Sequence, residues 1–124
     1  MKKFLLILAI FFGLMGVSSA QNAAYTSLDN KDFAKVVKQK KMQVVDVRTT
    51  AEFATGHLPK AVNMDVNSKD FDQQIEKLNK KKPVAVYCRS GRRSKVAAGK
   101  LADKGFKVYE LDKGIIQWDG EIEK

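Results

Sequence analysis

From Tyr25 onward, short β-branched and apolar runs alternate with segments whose apolar residues recur every three or four positions. No other feature restricts the fold as much. Strands separated by helices pair in parallel through crossovers, and a parallel sheet needs cover on both faces, so an α/β fold is expected with helices on each side of the sheet. Five strands are predicted, at residues 25–28, 42–47, 61–64, 84–87 and 106–111. Between them the pattern predicts four helices. The first is capped by Asp29 and presents Phe33, Val36 and Val37; a short one covers residues 51–54 and breaks at Gly56. The third is marked by Phe71, Ile75 and Leu78, and the fourth covers residues 94–103 and stops at Gly105. Residues 114–118 are expected to form a closing helical turn that packs Trp118 on the core.

The first twenty residues stand apart. Lys2 and Lys3 precede an apolar run from Phe4 to Val17, and Ser18, Ser19 and Ala20 follow with the small side chains a signal peptidase reads. The run is too short to span a bilayer and no cysteine follows it, so residues 1–20 are expected to be a secretory signal peptide cleaved after Ala20. The rest, residues 21–124, is then one exported domain, periplasmic or secreted and without stable membrane association. Two of the net nine positive charges belong to the leader.

The chain has one cysteine and one histidine, which excludes an internal disulfide and leaves too few ligands for a zinc site of the usual kind. An unpaired thiol in an oxidising compartment calls for a reason. Cys88 directly follows the most apolar predicted strand, and ligands of parallel sheets bind beyond the carboxyl ends of the strands. The segment Cys88-Arg89-Ser90-Gly91-Arg92-Arg93-Ser94 lies between that strand and a helix, where backbone N–H groups can gather around a sulfur or an anion. Three of the four arginines of the chain, Arg89, Arg92 and Arg93, lie in this segment. A helix N-terminus and guanidinium groups both favour a thiolate. The fourth arginine, Arg48, and Asp46 end another strand that can open onto the same mouth; they are expected to pair, shaping that mouth as a fold-supporting ion pair rather than taking part in the chemistry.

These features resemble the rhodanese (thiosulfate sulfurtransferase) family, in particular its short, exported, phage-shock kind. The resemblance rests on Asp46-Val47-Arg48, Glu52-Phe53, Gly56-His57-Leu58-Pro59, Ala61-Val62-Asn63, the Cys88–Ser94 segment, Gly105-Phe106, and Gly114 with Trp118, in the family's order. It implies a five-stranded parallel sheet and a catalytic Cys88 that carries a persulfide. Arg89, Ser90, Gly91, Arg92, Arg93 and Ser94 would bind a small anionic sulfur donor such as thiosulfate, and cyanide or a thiol would accept the sulfur. No cofactor or metal is implied. The chain departs from the family at Lys60 and Lys113, where glycine is common, and both departures bear on local turn geometry.

Relatives of the same fold hydrolyse phosphate esters with a loop of Cys, five residues and Arg. Here that last position is Ser94, and Arg93 closes a tighter ring better suited to sulfur. The remaining alternative is a noncatalytic or redox-sensing domain that uses Cys88 for mixed disulfides. His57 is expected to be structural, as is Glu52, a salt-bridge partner. The lysines are dispersed at helix ends with no interleaved aromatics, so no nucleic-acid partner is expected, and a monomer is anticipated.

Overall fold

The computed structural model describes residues 24–124; the expected leader and its cleavage point lie outside them. Five strands form one wholly parallel sheet: β1 (Thr26–Leu28), β2 (Gln43–Asp46), β3 (Val62–Asn63), β4 (Val84–Tyr87) and β5 (Val108–Leu111). Their spatial order is β1-β5-β4-β2-β3, which puts β4 at the centre. Every residue of β4 is buried, as a strand covered on both faces must be.

Strand parity divides the interior into two cores. Val84, Val86 and Cys88 point to one face, with Val45, Val47, Phe71, Ile75, Ala97 and Leu101, while Ala85 and Tyr87 point to the other, with Phe33, Val44, Leu58 and Leu111. The helices are α1 (Asn30–Val37), α2 (Thr50–Ala54), α3 (Phe71–Ile75) and α4 (Arg92–Asp103), followed by a 3-10 turn at Ile115–Gln117. Asp29 caps α1 as predicted, accepting a hydrogen bond from the Asp32 amide at 2.9 Å. Thr49 and Glu52 form a reciprocal capping box on α2.

Four of the five strands, all but β4, are one or two residues shorter than expected, and two helices differ as well. The helix α3 ends at Ile75, after which the chain continues in tighter turns, with the Leu78 amide bonded to the Ile75 carbonyl; Leu78 still reaches the core. The helix α4 starts at Arg92 rather than Ser94. Gly91, at φ 98°, makes the turn into the helix at once, so Arg92 and Arg93 belong to the first helical turn and not to a loop. Trp118 is half-buried, with its ring edge-on to Phe33 at a centroid separation of 6.0 Å.

Candidate active site

Cys88 is the first residue beyond β4, and its side chain falls on the α4 face of the sheet with only 1% of the residue exposed. The Gly91 amide donates to Sγ at 3.2 Å, and Sγ lies 3.5 Å from Ser94 Oγ, itself buried. Burial pushes the thiol pKa up, but the Ser94 hydroxyl and the amides of Ser94, Gly91 and Ser90 pull it down further, so it lies below the ordinary cysteine value.

The shape of this turn is imposed by the segment that follows β5, the strand next to β4 in the sheet. A Cβ on Gly91 would stand 1.9 Å from the Asp112 carbonyl oxygen, and one on Gly114 would stand 2.1 Å from the Arg89 carbonyl oxygen. Glycine is therefore required at both. The amides of Ile115 and Ile116 donate to the carbonyls of Cys88 and Arg89 at 2.9 and 3.0 Å, and Lys95 Nζ reaches the carbonyls of Gly91 and Asp112, each at 3.1 Å. The 3-10 turn and the end of β5 thus hold the cysteine turn in place.

The expected arginine cluster divides. Arg89 and Arg92 are exposed beside the turn, as is Ser90. Arg93 instead makes two parallel bonds to Glu52, at 2.7 and 2.9 Å, which hold the Glu52 carboxyl well below its usual range, at about 2. Two of its five N–H donors and its charge are thus committed to Glu52, unlike those of Arg89 and Arg92.

Asp46 and Arg48 do form the predicted fold-supporting pair, Nη2 to Oδ2 at 2.6 Å, but away from the cysteine mouth. Arg48 also bonds the Gly56 carbonyl at 2.7 Å and lies over the Tyr87 ring, on the face of the sheet opposite Cys88. The pair anchors the Gly56 turn rather than shaping the cysteine mouth. His57 is structural as read: its ring stacks on Phe53, and its backbone bridges to Glu123. Lys60 adopts φ 58°, the left-handed conformation that glycine takes without strain, whereas Lys113 does not.

One residue of the site escaped the sequence reading. Glu110 on β5 is wholly buried, and its carboxylate accepts from Ser94 Oγ at 2.5 Å, from Ser27 Oγ at 2.6 Å and from Lys95 Nζ at 3.2 Å. Its signal was available: a carboxylate stands in a strand whose neighbours Val108 and Leu111 are core residues.

Comparison with known proteins agrees with this architecture. The candidate sulfurtransferase YtwF of Bacillus subtilis (strain 168) is 33% identical over 87 residues, covering 70% of this chain and 82% of that protein. The tRNA uridine(34) hydroxylase of Pelagibacter ubique (strain HTCC1062) is 37% identical over 113 residues, 89% of this chain; the chain spans only 38% of that relative's length. Among solved structures, a rhodanese-like domain protein from Staphylococcus aureus superposes with a TM-score of 0.69 at 26% identity, over 79% of this chain and 96% of that one. A rhodanese-related protein from Thermoplasma volcanium has the same fold, with a TM-score of 0.71 at 24% identity over 80% of this chain and 98% of its own. The sequence pattern of the Rhodanese-like domain matches residues 29–121, and the chain belongs to that family.

Proposed function

We propose that the protein is a sulfurtransferase of the thiosulfate (rhodanese) type in which Cys88 carries a sulfane sulfur as a persulfide. The observation that carries this is the cradle around Sγ, where amides of the Cys88–Ser94 turn surround a buried sulfur at the N-terminus of α4. Donors of this kind stabilise an anionic sulfur, whether thiolate or persulfide.

The cycle has two displacements. The Cys88 thiolate attacks the outer sulfur of thiosulfate; the sulfur–sulfur bond of thiosulfate breaks, and sulfite leaves with its electron pair. Cyanide or a thiolate then takes the outer sulfur from the persulfide, giving thiocyanate or a new persulfide and restoring the Cys88 thiolate. Arg89 and Arg92 attract the dianion to the mouth, while Arg93, neutralised by Glu52, fixes the first turn of α4.

Two observations favour this over the alternatives. A sulfur in a residue 1% exposed is poorly placed for mixed disulfides with a protein partner and better placed for a small donor. The arginine a phosphate-binding loop would need is replaced by Ser94, which is buried against Glu110. The names of similar proteins lend further support: beside YtwF, the candidate sulfur carrier protein YrkF of Bacillus subtilis is 30% identical over 90 residues. Hydroxylation belongs to the names of proteins of which this chain spans 38% and 29%.

The proposal includes an exported monomer of the phage-shock kind, periplasmic or secreted after cleavage following Ala20, with no nucleic-acid partner. N-terminal sequencing of the protein from the producing cell tests the cleavage. Steady-state kinetics with thiosulfate and with glutathione persulfide, using Cys88→Ser as control, test the activity. Sulfur transfer that is saturable and lost in the variant is expected; equal rates with and without Cys88 overturn it.

A further inference from the structure

The hydrogen bonds behind Cys88 run in one direction. The Ser94 hydroxyl has a single proton, and its partners are a carboxylate oxygen of Glu110 at 2.5 Å and the Cys88 sulfur at 3.5 Å. A carboxylate only accepts, so that proton lies toward Glu110 and Ser94 turns a lone pair to Cys88. The thiol then donates to Ser94. Ser27 and the Lys95 ammonium donate to Glu110 as well, which gives the carboxylate three donors and fixes its position from both β1 and α4.

We propose that Glu110 is a positioning residue: by holding the Ser94 proton it makes Ser94 an acceptor toward the resting Cys88 thiol and raises the cost of ionising it, opposing part of the pull of the surrounding amides until a sulfur donor is bound. Forming the thiolate or the persulfide requires the Ser94 hydroxyl to turn from Glu110 to the sulfur, where the Gly91 amide already points. The inference rests on the sulfurtransferase reading for its place in a catalytic cycle. It also accounts for a solitary cysteine of an exported protein, because oxidants attack the thiolate faster than the thiol.

The other charged groups near this line are Lys95, shared between Glu110 and Asp112, and Arg93 with its partner Glu52. None of them hydrogen-bonds the Ser94 hydroxyl, whose partners are Glu110 and Cys88, so the proposed route from Glu110 to the sulfur runs through Ser94.

The test reads ionisation of Cys88, not turnover. Alkylation by iodoacetamide and the ultraviolet absorbance of the thiolate are followed against pH in wild type, Glu110→Gln and Glu110→Ser, the smaller serine serving if the amide is not accommodated. Each set is repeated on a Ser94→Ala background. The midpoint is expected to fall by about one pH unit when the carboxylate is removed, which raises alkylation below the midpoint roughly tenfold, and to stay unmoved on the Ser94→Ala background. A midpoint that is unchanged or higher in both Glu110 variants overturns the inference. So does a fall of equal size without Ser94, because the charge would then act through space. A shifted alkylation profile in a protein that accepts sulfur from no donor would instead reject the sulfurtransferase reading alone.

Discussion

Arg93 and Glu52 meet in two parallel hydrogen bonds, so the first turn of α4 is tied to the helix that follows β2. Because Glu52 also completes the capping box with Thr49, one carboxylate fixes two helix starts. This joins the cysteine turn to the opposite half of the sheet.

Glu52→Gln separates those two roles, since glutamine can still cap Thr49 but no longer pairs as an anion. A loss of about 0.5–1 kcal/mol at pH 7 is expected, modest because the pair is partly solvated. The folded carboxyl is held at about 2, below its unfolded value. The stabilisation is therefore present above the unfolded pKa and fades as pH falls toward the folded one. Urea denaturation of both proteins at neutral pH and near pH 3 checks this, with a smaller gap expected at the acidic end.

Tyr87 is buried, and its hydroxyl accepts from the Leu58 amide at 3.0 Å. Burial, with the Asp46 carboxylate nearby, pushes its pKa far above the usual phenol range, so it acts as a neutral hydrogen-bonding group. Tyr87→Phe leaves a buried amide without a partner and is expected to cost about 1–3 kcal/mol. Thermal unfolding measures that loss, and the ionisation profile of Cys88 is expected to stay in place because Tyr87 lies on the other face.

Gly91→Ala forces a methyl group against the Asp112 carbonyl in a backbone conformation that alanine rarely adopts. The expected result is a protein destabilised by more than about 2 kcal/mol with strongly reduced Cys88 reactivity. Denaturant midpoints and alkylation rates report the two effects separately.

At Lys60 the sign reverses. A lysine at φ 58° is strained, and glycine relieves the strain at the cost of greater freedom in the unfolded chain. Lys60→Gly is expected to raise stability by about 0.5–1 kcal/mol, with loss of the exposed bond from Lys60 to the Gln39 carbonyl as a minor offset. A calorimetric comparison decides it.

The central strand and the position of Cys88 were legible because an apolar run bounded by polar turns has few other uses in a chain of this pattern. The Asp46–Arg48 pair was legible as a pair but not in its direction: the face it occupies depends on strand parity relative to Tyr87, which becomes visible only when β2 and β4 are in register. The arginine segment was taken for a loop because the turn at Gly91 depends on contact with Asp112, distant in sequence. Glu110 was missed for the same reason. Its partners Ser27, Ser94 and Lys95 come together only when β1, β5 and α4 are assembled.

The most direct test of the persulfide at Cys88 is the intact mass of the protein after incubation with thiosulfate and removal of excess donor, followed by cyanide. The wild-type chain is predicted to gain one sulfur atom and to lose it to cyanide as thiocyanate, while Cys88→Ser gains none. A wild-type mass unchanged by thiosulfate and by persulfide donors, or the same gain in Cys88→Ser, would contradict the account.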